Sequence, residues 1–184
     1  MEVRSTDIPD VKVIKPRKFG DHRGFFSETY NKKVLAEAGI ILDFVQDNHS
    51  LSVEKGVIRG LHFQTAPFAQ DKLVRVIQGS VFDVALDLRK SSPTFGKHVT
   101  AVLSANEWNQ MLVPIGFAHG FCTLEPDTEV IYKVTNYYAP DCDRGLYWND
   151  PQLGIRWPVS EEEAILSDKD KRQPRFAELR DLFS

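Results

Sequence analysis

Two histidines that follow glycines are the first candidates for chemistry in this chain. His62 lies six residues after Gly56, in the run Gly56-Val57-Ile58-Arg59-Gly60-Leu61-His62-Phe63-Gln64. His119 closes the run Pro114-Ile115-Gly116-Phe117-Ala118-His119. An imidazole changes charge near neutral pH, so two histidines brought into one cavity could move protons or bind a metal ion.

The residues beside these histidines argue against a metal. The two runs resemble the halves of the cupin signature, whose members commonly bind a metal through His-x-His, a following Glu and a second-half His. Here Gln64 stands two residues after His62, and Gln70, Asp71 and Lys72 occupy the next segment. A divalent cation here would lack one imidazole ligand and one carboxylate ligand, and the positive charge of Lys72 would repel it. We therefore expect no metal site and interpret His62, Lys72 and His119 as a proton-transfer set.

Short strands are the elements that must position this set. From Val81 to Leu88, Phe82, Val84, Leu86 and Leu88 alternate with Val81, Asp83, Ala85 and Asp87, which predicts a half-buried strand in a sheet with one wet face. Further strands are predicted over Lys72–Ile77, His98–Leu103, Gln110–Val113 and Glu129–Thr135. Turn residues recur every ~8–12 residues, as in antiparallel sandwiches and barrels.

Helical signals are confined to the flanks of the strand-rich region. The run Asn31–Ala38 ends at Gly39, and a Ser-x-x-Glu capping box at Ser160 precedes Ala164-Ile165-Leu166. The predicted fold is mainly β: a cupin-type double-sheet jelly-roll barrel with short flanking helices.

Length and composition limit the class of protein. The chain has 184 residues, 42% of them hydrophobic, and no linker or repeat divides it, so a single domain over residues 1–184 is expected. The net charge of −3 without a basic stripe argues against nucleic acid as a partner. The sequence has no apolar run of the ~18 residues that a membrane span needs. We therefore expect no membrane association. Because the chain has only two cysteines, we expect a reduced, cytoplasmic setting.

A longer series of motifs resembles one enzyme family. The series begins with Gly20-Asp21-His22-Arg23-Gly24-Phe25-Phe26-Ser27-Glu28, Gln46-Asp47-Asn48-His49-Ser50, Gly56 through Gln64, and Val113 through Phe121. It continues with Tyr132-Lys133, Tyr137-Tyr138, Trp148-Asn149-Asp150-Pro151, Ile155-Arg156-Trp157-Pro158 and Leu166-Ser167-Asp168-Lys169-Asp170. From about Phe19 to Asp170 the chain resembles, in order, the dTDP-4-dehydrorhamnose 3,5-epimerase family.

The resemblance implies an isomerase of dTDP-L-rhamnose biosynthesis that uses no cofactor. Such enzymes convert dTDP-4-dehydro-6-deoxy-D-glucose to dTDP-4-dehydro-L-rhamnose by inverting C3 and C5, which flank the C4 ketone, through enolate intermediates. It implies His62 as the base, with Asp170 as its carboxylate partner. Tyr132 would be the acid on the opposite face, and Lys72 would stabilise the enolate. His119 is expected to orient the substrate.

The resemblance also implies a site for a dTDP-sugar. The matching positions are Arg23, Phe26, Glu28, Gln46, Asp47, Asn48, Arg59, Lys72, His119, Tyr138, Asp143 and Lys169. Arginines suit the diphosphate and Tyr138 offers a stacking face for thymine. Asp143 replaces the family's usual Glu, which predicts a lost or water-mediated contact. Family members form homodimers with exchanged N-terminal strands, so Arg23, Phe26 and Glu28 are expected to serve the neighbouring subunit's site.

Three other functions stay open on the sequence. One is a monoepimerase acting at C3 or C5 of a related dTDP-4-keto-6-deoxysugar, although Tyr132 favours the full reaction. A metal-dependent cupin oxygenase or isomerase predicts bound metal and inhibition by chelators. A non-catalytic sugar-nucleotide binding module would need none of His62, Lys72 and Tyr132. Taken singly, Tyr132 could be a packed strand aromatic and Lys72 a solvated edge charge.

Overall fold

The computed structural model describes residues 1–180 and 182–183. The strands are β1 (Glu2–Ser5), β2 (Lys12–Lys15), β3 (Lys18–Asp21), β4 (Gly24–Ser27), β5 (Gln46–Ser52), β6 (Ile58–Gln64), β7 (Lys72–Gln78), β8 (Ser80–Asp87), β9 (His98–Ser104), β10 (Gln110–Val113), β11 (Phe117–Thr123), β12 (Thr128–Val134) and β13 (Asp143–Gly145). The helices are α1 (Lys32–Glu37) and α2 (Asp168–Lys171), and 3-10 turns span Pro140–Cys142, Pro151–Leu153 and Phe176–Glu178. The five predicted strands match β7, β8, β9, β10 and β12 to within one residue at each end.

Two antiparallel sheets face each other. The six-stranded sheet has the order β1-β2-β10-β7-β12-β5, and the five-stranded sheet has the order β13-β6-β11-β8-β9. Their inner faces meet in one apolar cluster, to which Val74, Val76 and Val130 come from the first sheet and Ala85 and Phe121 from the second. This double-sheet packing confirms the predicted mainly β, jelly-roll architecture.

The prediction of a wet face on β8 is wrong. Asp83 and Asp87 are completely buried, together with the apolar residues between them. The outer face of the five-stranded sheet is covered by a second cluster, in which Leu86 packs with Leu153 and with Phe176 and Leu179 from the C-terminal segment. Period-two alternation marks the two faces of a strand, but only the tertiary structure decides whether solvent reaches either of them.

One predicted helix is confirmed and the other is not. The Asn31 side chain accepts a hydrogen bond from the Val34 backbone N–H and begins α1, and Gly39 follows the helix with a φ of +82°. After Ser160 the chain makes a single turn, closed by the Ala164 N–H on the Ser160 carbonyl at 3.1 Å. Ile165 then forms a parallel bridge with Val57, and this pairing ends the turn before a helix can form.

Strands β3 and β4 form a separate two-stranded hairpin near the N-terminus. It exposes three phenylalanines, Phe19 at 51%, Phe25 at 55% and Phe26 at 70%. Trp108 packs edge-on against Phe25 and donates its indole N–H to the Ser27 hydroxyl, which holds one side of the hairpin on the domain. Among the helices of the described residues, none has the length and apolar character needed to cross a membrane.

Candidate active site

The two histidines become neighbours because two glycines let their strands come close. His62 on β6 and His119 on β11 are cross-strand partners, and the register shifts between His119 and Phe121. A Cβ on Gly60 would lie 2.7 Å from the Cα of Gly120, and a Cβ on Gly120 would lie 2.9 Å from the Arg59 carbonyl oxygen. Only glycines allow this approach, so the pair places both imidazoles side by side on the inner face.

A cavity of about 460 Å³ opens beside these histidines. It is lined by Ser50, Val57, Ile58, Arg59, His62, Lys72, His119, Phe121, Tyr132, Ile165, Leu166, Ser167, Lys169 and Asp170. Both sheets and the short helix α2 contribute, so the cavity forms only when distant parts of the chain meet. Its polar groups converge in a mostly buried setting, as in typical small-molecule sites.

His62 is paired with the carboxylate of Asp170. Its Nε2 lies 2.5 Å from Oδ1 of Asp170, whose side chain is 4% exposed. Burial alone would raise the pKa of Asp170, but hydrogen bonds from His62, the Ser167 hydroxyl and the Gly60 N–H lower it below its ordinary value. An ionised Asp170 accepts a hydrogen bond from Nε2–H, which leaves Nδ1 of His62 as the nitrogen that can take a proton from a substrate.

Lys72 and Tyr132 line the opposite side of the cavity. Both belong to the six-stranded sheet, and Lys72 donates a 3.3 Å hydrogen bond to the carbonyl oxygen of His62 across the interior. Burial lowers the pKa of Lys72 to about 8. Burial also raises the pKa of the Tyr132 phenol, so this group is a proton donor at neutral pH. A base from one sheet thus faces an acid and an ammonium group from the other.

His119 has a carboxylate partner of its own. Its Nε2 lies 2.8 Å from Oδ1 of Asp83, which is completely buried on β8. The His119 side chain is 8% exposed, whereas that of His62 is 30% exposed. His62 is therefore the more accessible of the two imidazoles, and His119 belongs to the cavity wall.

A polar recess of about 240 Å³ adjoins the cavity and shares four of its residues, His62, Lys72, Tyr132 and Lys169. Its further lining includes Gln46, Asn48, Gln64, Tyr138 and Asp143. Asp143 accepts hydrogen bonds from the Tyr138 hydroxyl and from the Lys169 ammonium group. On the other side, Arg59 is held by hydrogen bonds to the Ser52 hydroxyl and the Leu51 carbonyl. Arg59 and Lys169 give this region cationic groups suited to an anionic ligand.

Comparison with known proteins identifies the family. Residues 5–178 match the family described as dTDP-4-dehydrorhamnose 3,5-epimerase. This chain belongs to that family. The dTDP-4-dehydrorhamnose 3,5-epimerase of Shigella flexneri is 52% identical over 179 residues, which are 97% of this chain and 97% of that protein.

Solved structures of epimerases share the fold over nearly the whole chain. The dTDP-4-dehydrorhamnose 3,5-epimerase of Bacillus anthracis, with TDP and PPi bound, is 55% identical with a TM-score of 0.92, covering 95% of this chain and 99% of that one. The dTDP-6-deoxy-D-glucose-3,5-epimerase of Legionella pneumophila, in complex with dTDP-4-keto-L-rhamnose, is 44% identical with a TM-score of 0.92, covering 97% and 94%.

The epimerase fold brings together most of the residues that the sequence singles out. The cavity and its recess hold Gln46, Asn48, Arg59, His62, Lys72, His119, Tyr132, Tyr138, Asp143, Lys169 and Asp170. Asp47 lies elsewhere: it binds the Lys133 ammonium group at 2.9 Å and lines a depression with His49 and Arg75, outer-face residues of the six-stranded sheet. The assignment of Asp47 to the substrate site stays a prediction.

Three predicted residues of the epimerase site lie away from the cavity of their own chain. Arg23 binds Asp21 within the hairpin turn at 2.5 Å, and Phe26 is exposed on β4. Glu28 accepts a 3.0 Å hydrogen bond from the Asn31 side chain. Their assignment to a partner's site stays a prediction.

Sequence reasoning missed Asp83 and the role of Gln64. An aspartate inside an apolar strand was the available signal for Asp83, but the alternation assigned it to solvent. Gln64 donates to the Phe68 and Tyr137 carbonyls and accepts from the Ala139 N–H, so its amide organises the loops beside the recess. Over residues 1–180 and 182–183, no group of three or more His, Cys, Asp or Glu side chains is arranged to hold a metal ion.

Proposed function

We propose that this chain epimerises both C3 and C5 of dTDP-4-dehydro-6-deoxy-D-glucose, giving dTDP-4-dehydro-L-rhamnose, with His62 as the base and Tyr132 as the acid. The observation that carries the proposal is the arrangement of the cavity walls. His62 and Asp170 line one side, and Tyr132 and Lys72 line the other, so that a sugar ring between them meets a base and an acid on opposite faces. Family membership supports the substrate class.

The reaction needs two proton removals and two proton returns. His62 takes the proton from a carbon beside the C4 ketone, and the electron pair of the broken C–H bond moves onto the ketone oxygen. The Lys72 ammonium group stabilises the resulting enolate where its charge develops. Tyr132 then donates its phenolic proton to the opposite face of the carbon, and solvent restores both residues. The same steps at the second carbon complete the inversion.

The nucleotide half of the substrate fits the cationic side of the site. In this proposal Arg59 and Lys169 bind the diphosphate, and Tyr138 stacks on the thymine with Gln46 and Asn48 as hydrogen-bonding neighbours. The Lys169–Asp143 ion pair is expected to loosen as phosphate arrives.

We further infer a cytoplasmic homodimer in which each N-terminal hairpin reaches the partner. The exposed phenylalanines of the hairpin support this inference, because a cluster of large exposed apolar side chains on a small domain indicates a contact surface. Arg23, Phe26 and Glu28 would then complete the neighbouring site. The two free cysteines are consistent with a reducing compartment.

The test is isotope exchange during turnover. The purified chain is incubated with dTDP-4-keto-6-deoxyglucose in deuterium oxide, and NMR locates deuterium in the sugar. Deuterium at both C3 and C5 is the expected result. Deuterium at one carbon would replace the proposal with a monoepimerase, and intact binding without exchange would replace it with a binding module.

A pair of histidine variants tests the base. His62→Ala is expected to lower the exchange rate by at least about 100-fold, the usual contribution of a general base. His49→Ala is the matched control, because this exposed imidazole pairs with Glu129 at 2.6 Å on the outer face of the six-stranded sheet. Wild-type exchange in His62→Ala would overturn the assignment.

A further inference from the structure

Asp83 is a carboxylate placed inside the main apolar core. It lies on the inner face of β8, with Phe121 of β11 and Ala101 of β9 as its cross-strand partners. Its side chain has no exposed surface. An ionised carboxylate in such surroundings costs several kcal/mol unless hydrogen bonds or opposite charges compensate for the lost water.

Two other buried aspartates show how this fold satisfies a carboxylate that serves structure alone. Asp87 binds the Arg89 guanidinium and accepts hydrogen bonds from the hydroxyls of Ser92 and Thr94. Asp71 accepts one hydrogen bond on each oxygen, from the Ile115 N–H and the Thr135 hydroxyl.

Asp83 is satisfied on one oxygen only. Its Oδ1 is bonded to His119, whereas Oδ2 has no hydrogen-bond partner within the described part of the chain. A buried oxygen left without a partner calls for an explanation beyond packing.

We propose that Asp83 is a positioning residue, whose buried negative charge holds His119 in one tautomer and keeps Lys72 in its ammonium form for the reaction. The inference rests on the proposed function. An ionised Asp83 accepts only, so the proton of a neutral His119 stays on Nε2 and Nδ1 becomes its acceptor nitrogen. Lys72 lies across the interior on β7 and lines the cavity together with His119, the residue that Asp83 binds. The negative charge of Asp83 raises the pKa of Lys72.

Lys72 needs such a charge because its position favours the neutral amine. Burial lowers its pKa to about 8, and the negative charges of Asp143 and Asp83 oppose that lowering. Only the protonated amine can stabilise an enolate. Without these two carboxylates the pKa of Lys72 would be lower, so a smaller fraction of the amine would be protonated near neutral pH. The charged and titratable groups that face Lys72 are His62 from β6, Asp83 from β8, His119 from β11, Tyr132 from β12, Asp143 from β13, and Lys169 and Asp170 from α2.

The two opposing carboxylates differ in their setting. Asp143 lies in the open recess, where its carboxylate is bound by Tyr138 and Lys169. Substrate phosphate arriving at Lys169 would change that pairing. Asp83 is bound to His119, has no exposed surface and lines neither the cavity nor the recess. A phosphate bound at Lys169 would therefore not contact its carboxylate.

The experiment replaces the charge but keeps the shape. In Asp83→Asn, the Lys72 ammonium group is expected to titrate about one pH unit lower than in the wild type, as for loss of a nearby opposite charge. Two readouts report this: the alkaline limb of the pH profile of kcat/KM, and the Lys72 signals of lysine-labelled protein in NMR, assigned by their absence from Lys72→Met. At pH 8 the variant is expected to lose about five-fold more activity than at pH 6.

Glu129→Gln is the matched control. It removes the carboxylate that pairs with His49 outside the cavity, and it is expected to leave both readouts unchanged. If Asp83→Asn does not fold, Asp83→Ser, which is smaller and uncharged, takes its place. The wild type gives a third readout: the carboxyl carbon signal of Asp83 is expected to move at the pH where Lys72 titrates.

Several outcomes would overturn the inference. An unchanged Lys72 titration in the folded Asp83 variant is one, and an Asp83 signal that stays flat around pH 8 is another. A rate lowered equally at every pH would assign Asp83 to packing. The NMR titration of Lys72 needs no substrate. A wild-type chain without exchange activity would therefore contradict the proposed function, whereas the titration would still test the effect of Asp83 on Lys72.

Discussion

His62 and His119 are the same residue type in two different surroundings. Each has an aspartate on Nε2, but His62 is the more exposed to the cavity and His119 is nearly enclosed. This difference in accessibility supports the proposal that His62 removes the proton.

A matched substitution, Asp170→Asn, keeps the size of the side chain but removes the charge that holds the proton on Nε2. Proton exchange is expected to fall by about 100-fold or more, measured in deuterium oxide. A rate within two-fold of the wild type would contradict the pairing.

In the proposed mechanism Tyr132 only returns the proton, so a Tyr132 variant can distinguish proton removal from proton return. Tyr132→Phe deletes the phenolic proton and keeps the ring that packs against the core. Deuterium exchange at the carbon facing His62 is expected to continue, while net inversion falls by about 100-fold because no acid remains on the opposite face. NMR of the sugar distinguishes exchange with retention from inversion. Equal loss of both processes would contradict the acid assignment.

The buried charge of Lys72 is predicted to lower the free energy of unfolding, although the proposed reaction needs that charge. Its pKa falls from 10.5 to about 8 on burial, so between these pH values the folded state binds fewer protons than the unfolded state and stability rises with pH. Below pH 8 the cost of burying the charge is fully present. Lys72→Met is expected to be more stable than the wild type by about 1–3 kcal/mol at pH 7, and inactive.

Thermal unfolding from pH 7 to 10.5 measures this effect. The advantage of Lys72→Met is expected to shrink as pH rises through about 8 towards 10.5, because the wild type regains stability over that interval. A melting-temperature difference that does not change with pH would show that hydrophobic packing, and not the charge, separates the two proteins.

At the scale of elements, the contact between β6 and β11 determines the geometry of the site. Gly60 and Gly120 lie against each other at the point where the register shifts, and this places His62 opposite His119. A side chain on either glycine would push the strands apart and move both imidazoles. The two glycines therefore determine how far apart the imidazoles of His62 and His119 lie.

Gly120→Ala tests this contact. The new Cβ would lie 2.8 Å from Leu61 Cδ2 and 2.9 Å from the Arg59 carbonyl, so we expect a loss of about 1–3 kcal/mol together with strongly reduced activity of the folded protein. Gly154→Ala is the control, because its φ of +63° strains the backbone while its Cβ meets nothing within 4 Å. That variant should lose stability but keep its specific activity. Chemical unfolding and exchange assays measure the two effects.

At the scale of the whole molecule, a net charge of −3 conceals a cationic site. Arg59, Lys72 and Lys169 converge on the cavity and its recess, whereas Arg23 lies on the hairpin. An anionic substrate is attracted by this local field, which the total charge does not describe. The separation of Arg23 from the other cations is explained if the hairpin completes a partner's site.

Mixed dimers test the proposed hairpin exchange. A His62→Ala subunit and an Arg23→Ala/Phe26→Ala subunit would each be deficient alone. Mixed in equal amounts and allowed to reassociate, they are expected to recover about a quarter of wild-type activity, since half of the dimers are hybrids with one intact site each. No recovery after exchange of subunits, verified by mass spectrometry, would contradict shared sites. The control mixes the His62→Ala subunit with itself after the same treatment.

Much of the fold could be predicted from residue order alone. Strands β7 to β10 and β12 have alternating or β-branched sequences bounded by turn residues, and α1 has its cap and its terminating glycine. These signals are local, since they depend on side-chain period and backbone preference within a few residues. The ordered motifs also indicated the family, which the comparisons show. The proton-transfer and cationic residues that the motifs indicated stay predictions. The helix expected after Ser160 failed because Ile165 pairs with Val57, a contact 108 positions away that no local pattern contains.

Only the tertiary structure decided which groups meet and which carboxylates are buried. It placed Asp170 on His62, assigned Asp83 to the core behind His119, and put Asp47 among the outer-face residues of its sheet. It also left Arg23, Phe26 and Glu28 away from the cavity of their own chain. The physical reason is that a side chain's period along a strand specifies its face, whereas burial, charge pairing and pKa depend on what packs against that face from remote parts of the chain.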